Sequence, residues 1–153
     1  MAQGPADAVD LVLTGSAAEA DLVARLAALL DARRVPHVNL AGLTTLWMLG
    51  ALLQGARLLV CNDTGVSHIA AALRVPSVVV ACGSDVSRWA PQDLQRHRVL
   101  AAPAPCRPCA VAHCPHGHAC ALALDLPQVL AAVQAQLAAF PNEEIPCPAA
   151  CAS

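Results

Sequence analysis

The sequence predicts an α/β fold, a Rossmann-like parallel sheet with helices on both faces, and three observations carry that expectation. Short apolar strand patterns alternate with helical patterns along most of the 153 residues, and each crossover between parallel strands needs a helix to return the chain. Residues 57–61, Arg-Leu-Leu-Val-Cys, run apolar without alternation, as expected of a strand buried on both faces. Directly after them comes Asn62-Asp63-Thr64-Gly65, a turn at the carboxyl end of a strand, where ligands of open parallel sheets bind.

Each element has its own signal. Residues 8–14 form a short apolar strand ending in Gly15-Ser16, and Ser16 suits the N-cap of the helix over 17–32. In that helix Leu22, Val23, Leu26, Leu29 and Leu30 recur at three- and four-residue spacing, while Glu19, Asp21, Arg25 and Asp31 take other positions. A strand over 35–40, a helix over 44–54, the strand over 57–61, a helix over 65–73 and a strand over 76–81 follow. A loop containing proline and charged residues then runs to Arg98, and residues 99–101 make an edge strand. A Pro/Cys/His-rich segment at 103–120 precedes an alanine-rich helix over 126–139. Residues 1–140 therefore read as one domain, with 141–153 as a flexible tail.

Composition narrows the function. One domain of this length buries a core but is short for a two-domain enzyme. A formal net charge of -2 and three aromatic residues, two Trp and one Phe, offer neither a basic track nor stacking platforms for nucleic acid. The longest uncharged run, between Arg34 and Arg57, is broken by Pro36, His37, Asn39, Gly42, Thr44, Thr45 and Gln54, so no membrane span is expected and any membrane association is peripheral. The first seven residues lack the basic and apolar stretches of an export signal. A cytoplasmic location is the expectation.

The turn after the third strand has a definite chemistry. Gly65 admits close backbone approach, and the Thr64 hydroxyl and the first N–H groups of the helix can donate. The helix dipole favours an anion, so phosphate is the natural guest. Asp63 would repel a phosphate and is better suited to accept from sugar hydroxyls beside it. His68, one turn along, can donate to a phosphate oxygen. Each feature also has a plainer reading: Asp-Thr-Gly as a helix cap, and His68 as a satisfied core residue. Glu19 in a first helical turn offsets the dipole without any ligand. Trp89 either walls a sugar site or packs, with packing slightly favoured.

Eight cysteines in a cytoplasmic chain point to thiols or metal ligands. Cys106 and Cys109 have zinc-knuckle spacing, and with Cys114 and Cys120 they make a candidate tetrahedral structural zinc site, with His113, His116 and His118 among them. Free thiols or a strained disulfide in a proline-rich loop are the competing reading, with cytoplasmic reduction favouring the thiols. Cys147 and Cys151 carry no assignment.

The run from Cys61 to Leu73, Cys-Asn-Asp-Thr-Gly-Val-Ser-His-Ile-Ala-Ala-Ala-Leu, followed by Val75-Pro76, resembles the donor-site signature of glycosyltransferase family 9. That family includes the ADP-heptose:lipopolysaccharide heptosyltransferases. Leu13-Thr14-Gly15 with Glu19, then residues 42–46 (Gly-Leu-Thr-Thr-Leu), Gly83-Ser84-Asp85, and Arg88-Trp89-Ala90-Pro91 match in order, so the resemblance covers residues 8 to about 139. It implies the C-terminal, donor-binding domain of a GT-B enzyme, beginning after that domain's first strand-helix unit. By the resemblance Thr64 and Gly65 hold the diphosphate, Asp63 the sugar, His68 the edge of the phosphate site and Glu19 the ribose, with Gly15 beside it and Leu43 and Thr44 bordering the base. The reaction it implies is inverting transfer of heptose from a nucleotide-diphosphate sugar to a lipopolysaccharide-core acceptor, with no cofactor. The carboxylate base and the acceptor belong to an N-terminal domain, so no catalytic residue is expected in this chain. The rival function is a non-catalytic nucleotide-binding or partner-docking module.

Overall fold

A computed structural model describes residues 11–109, 111 and 114–141. The predicted first strand is described from Leu11 onward, and Cys147, Cys151, His113 and the predicted tail beyond residue 141 lie outside the described residues. The chain divides into two units, Met1–Leu49 and Gly50–Ser153.

In the first unit, β1 (Leu11–Leu13) pairs in parallel with β2 (His37–Asn39), Leu11 opposite His37 and Leu13 opposite Asn39. Between them a 3-10 turn at Ala17–Glu19 leads into α1 (Ala20–Ala32). Ser16 caps that turn as its sequence suggests. The Ser16 N–H and hydroxyl both donate to Glu19 Oε2, each at 2.7 Å, the Glu19 half of a capping box. At the other end Arg34, at φ 56°, takes the left-handed conformation that terminates a helix. The Val35 N–H then returns to the Leu30 carbonyl at 3.0 Å.

The division between units falls within α2 (Leu46–Gln54). The second unit holds β3 (Leu59–Asn62), α3 (Gly65–Ala72), β4 (Ser77–Val80), α4 (Val86–Trp89), β5 (His97–Leu100), α5 (Ala119–Leu122) and α6 (Leu126–Ala139). Its three strands form a parallel sheet in the order β3-β4-β5, and α3 and α6 both pack on it. α3 ends as α1 does. Arg74 sits at φ 58° and the Val75 N–H reaches the Ala70 carbonyl at 2.9 Å. The tripeptide Arg-Val-Pro thus closes a helix twice, at 34–36 and 74–76, with proline preventing continuation each time.

The centre of this core is β4. Val75, Val78 and Val79 are fully buried, each worth about 1.5–3 kcal/mol by removal of apolar surface from water. A second anchor is polar. Gln136 of α6 is buried, and its Nε2 donates to the carbonyls of Gln95 and Arg96, both at 3.1 Å, and lies 3.5 Å from that of Ser77. At the amino ends of β4 and β5 the buried Ser77 hydroxyl and His97 Nδ1 are hydrogen-bonded at 2.9 Å.

The α/β class and the all-parallel pairing follow the sequence pattern, with three differences of detail. The strands fall into two ladders, because a pattern that signals parallel pairing does not say which strands share hydrogen bonds. In β3 exposure alternates, with Val60 50 % exposed. The strand buried on both faces is β4, flanked on both sides, whereas β3 pairs with β4 alone. The short helices α4 and α5, four residues each, fall in segments read as loop.

Candidate functional site

The carboxyl end of β3 carries the signature turn. The Asp63 N–H continues the ladder by donating to the Val80 carbonyl at 3.1 Å, which fixes the residue at the end of the sheet. Thr64 is the extended N-cap of α3 and its side chain makes no capping bond. Instead, the Ser67 N–H and hydroxyl donate to the Thr64 carbonyl at 3.0 and 2.7 Å. The Thr64 hydroxyl takes no part in these bonds and stands beside the first N–H groups of the helix, which have no intrahelical partner. Gly65 is exposed, and a Cβ there would meet nothing within 4 Å. Its value is an open approach to the backbone.

Asp63 is half-buried, and its Oδ2 accepts a hydrogen bond from the Ser84 hydroxyl. Its negative charge is felt nearby. Burial, reinforced by the Asp63 carboxylate, pushes the Cys61 thiol up to about 12, so Cys61 is an inert neutral thiol. Cys82 is also raised, first by burial and then by Cys120, with Arg107 opposing. His68 is exposed on α3, and its ring meets Trp89 edge-on at 6.3 Å. Trp89 is 50 % exposed and carries the Arg88 guanidinium at 5.5 Å. One edge of its ring thus meets His68, and the ring also carries a cation.

The loop after β4 completes this end of the second unit. Asp85 caps α4 by accepting from the Ser87 N–H and hydroxyl, and the Ser87 hydroxyl foremost holds its carboxyl below the usual range. A cavity of about 460 Å³ opens at the carboxyl ends of β4 and β5, lined among others by Ser84, Asp85, Ser87, Ala102 and Arg107. Ser84 and Arg107 are the functional candidates the sequence reading passes over. Ser84 is seen there only as part of a matching tripeptide, and Arg107 only as a spacer between cysteines.

The remaining predicted donor residues belong to the first unit, where they gather at the carboxyl ends of β1 and β2. The Gly42 N–H donates to the Gly15 carbonyl at 2.9 Å. Gly42 has φ +74°, and a Cβ on it would stand 3.3 Å from the Ala17 backbone, so the turn requires glycine. Gly15 is nearly as confined, with Val23 and Glu19 atoms at 3.3 and 3.4 Å from a Cβ position. The Glu19 carboxyl is held low by the Ser16 hydroxyl and then the Ser16 N–H, both donating to Oε2. Thr44 is half-buried and Leu43 is 67 % exposed.

The four candidate zinc ligands are not gathered. Among the described residues no group of three or more His, Cys, Asp or Glu side chains stands where it could hold a metal ion. The Cys109 N–H donates to the Gly83 carbonyl at 2.8 Å and its Sγ lies against Gly83. Cys114 Sγ accepts from the His118 N–H at 3.3 Å, Cys120 is buried in the core, and Cys106 is half-buried; all are free thiols. Cys109 thus holds the loop at residue 83. No described helix is long and apolar enough to cross a membrane.

Residues 6–120 match the family model described as glycosyltransferase family 9 (heptosyltransferase). Lipopolysaccharide heptosyltransferase 1 of Pseudomonas aeruginosa is 46 % identical over 65 residues, 42 % of this chain and 17 % of that protein. The solved structure of the E. coli ADP-heptose LPS heptosyltransferase II superimposes with a TM-score of 0.69 at 27 % identity, covering 85 % of this chain and 37 % of that one. The chain thus spans well under half the length of both relatives. With the family model matching three quarters of its residues, the chain belongs to glycosyltransferase family 9, the heptosyltransferase family.

Proposed function

We propose that this chain carries the donor site of an inverting heptosyltransferase, taking ADP-heptose or a closely related nucleotide-diphosphate sugar and serving a lipopolysaccharide-core acceptor. The observation that carries the reading is the junction of β3 and α3. There a carboxylate (Asp63), an uncommitted hydroxyl (Thr64) and an unobstructed glycine at a helix N-terminus (Gly65) stand in three consecutive positions. Diphosphate next to sugar is the ligand whose chemistry has that same order.

The chemistry follows from the charges. As an acceptor oxygen bonds to the anomeric carbon, the bond from that carbon to the diphosphate oxygen breaks, and the leaving group gains negative charge. The α3 dipole and the Thr64 hydroxyl stabilise that charge as it develops. Asp63 holds the sugar by accepting from its hydroxyls, and His68 with Trp89 borders the site. Gly15, Glu19, Leu43 and Thr44 take the nucleoside, with adenine as the base. The acceptor's proton goes to a carboxylate base on an acceptor-binding domain. No cofactor is assigned to the transfer.

Calorimetric titration with ADP, UDP, GDP and ADP-heptose tests the reading. Saturable binding with ADP-heptose the tightest supports it, and a folded chain that takes up none of the four rules it out.

A further inference from the structure

Where the β4 and β5 ladders stop, their last carbonyls need donors, and one side chain supplies them. Arg107 Nη1 donates to the carbonyls of Ala81 and Ala102 at 3.3 and 2.8 Å, and Nη2 donates to the carbonyl of Ser84 at 2.9 Å. A planar guanidinium addresses three carbonyls at fixed angles, which a single ammonium cannot do. Two residues on, Cys109 makes a second attachment through its N–H to the Gly83 carbonyl. Its Sγ lies 2.9 Å from where a Cβ at position 83 would stand, so only glycine fits beneath it. Residues 83 and 84 are thus held from two points. The Ser84 hydroxyl, oriented in this way, donates to Asp63 Oδ2, leaving Oδ1 of that carboxylate to accept from a ligand.

We infer that Arg107 is a positioning residue for sugar recognition: it fixes Ser84, and Ser84 orients the Asp63 carboxylate toward the hydroxyls of the donor sugar. The inference rests on the donor-site reading above and adds a residue 44 positions beyond Asp63 in the chain. It also assigns a role to the Cys-x-Pro-Cys segment that needs no metal. Because the relay ends on Asp63 and not on the helix N-terminus, it governs the sugar half of the ligand and leaves the diphosphate half alone.

The test is calorimetric titration of the whole chain with ADP and with ADP-heptose, comparing the wild type with Arg107→Met, Arg107→Lys, Ser84→Ala and the double variant Arg107→Met/Ser84→Ala. Losing the orienting hydrogen bond to a charged group should weaken ADP-heptose by about tenfold in each of Arg107→Met and Ser84→Ala, with ADP changed by less than about twofold. The double variant should be no worse than the weaker-binding single, since both act through one contact. Arg107→Lys, which keeps a donor but not the fork, should fall between wild type and Arg107→Met. If Arg107→Met does not fold, selective loss of ADP-heptose in Arg107→Lys and Ser84→Ala supports the relay. Equal losses for both ligands, additive losses in the double variant, or unchanged binding in folded variants overturn it while leaving the donor site standing. A wild-type chain that binds neither ligand overturns the donor-site reading and this inference together.

Discussion

At the scale of single residues, the site depends on what Gly65 lacks. A Cβ there has open space, and the residue begins α3, so Gly65→Ala should leave the fold intact and raise stability by about 0.4–1 kcal/mol through lost unfolded-state freedom. In the proposed donor site the added methyl stands in the path of the diphosphate, so nucleotide affinity should fall. Thermal unfolding and calorimetry on the same variant read the two effects separately. His97 gives a second residue-scale prediction. Burial, with some help from Arg96 and against the pull of Asp93, holds its pKa below the ordinary 6.5. The unfolded chain therefore takes up the proton first. Stability is full above about pH 6.5 and is lost as the pH falls below it toward the folded-state value, by at most about 1.4 kcal/mol per pH unit. Unfolding midpoints measured from pH 7.5 to 5.5 should decline in the wild type and flatten in His97→Gln. Asp63, Thr64, Gly65 and His68 were legible in the sequence because they lie within one turn of each other along the chain. Ser84 and Arg107 were not, since they reach the site over 21 and 23 residues through a hydroxyl and a carbonyl that no local pattern marks.

At the scale of elements, α6 shows how a polar side chain secures a helix to a sheet. Gln136 Nε2 serves carbonyls in the segment leading into β5, beside Ser77 at the start of β4. Replacing it by leucine removes the donor to the Gln95 carbonyl, while the Arg96 carbonyl keeps the Ser77 N–H at 3.0 Å; a lost hydrogen bond of this kind costs about 1–3 kcal/mol. Urea unfolding of Gln136→Leu should show that loss as a lower midpoint with an unchanged slope. The long helices were readable because their apolar periodicity and caps agree. The 126–139 helix has the bounds its pattern predicts, set by Asp125 and Gln128 as a capping box with Pro127 in the first turn. α4 and α5 escaped because four residues give no period to read. The misplaced burial of β3 has a related cause: apolar content marks a strand, but its position in the ladder decides how many faces are covered.

At the scale of the whole molecule, the candidate donor residues are divided between two units. Gly15, Glu19, Leu43 and Thr44 lie at the carboxyl ends of β1 and β2, and Asp63, Thr64, Gly65 and His68 at that of β3. Each set lies where the rule that parallel sheets bind ligands beyond the carboxyl ends of their strands would place a ligand. Family membership rests on motifs spread over residues 6–120. The central claim is that Asp63 reads the sugar while Thr64 and the α3 N-terminus hold the diphosphate. Calorimetric titration of Asp63→Ala and Thr64→Ala with ADP and ADP-heptose tests it most directly. Asp63→Ala should lose about tenfold or more in ADP-heptose affinity and little for ADP, and Thr64→Ala should weaken both. ADP-heptose binding that survives Asp63→Ala unchanged, or falls in step with ADP, would contradict it.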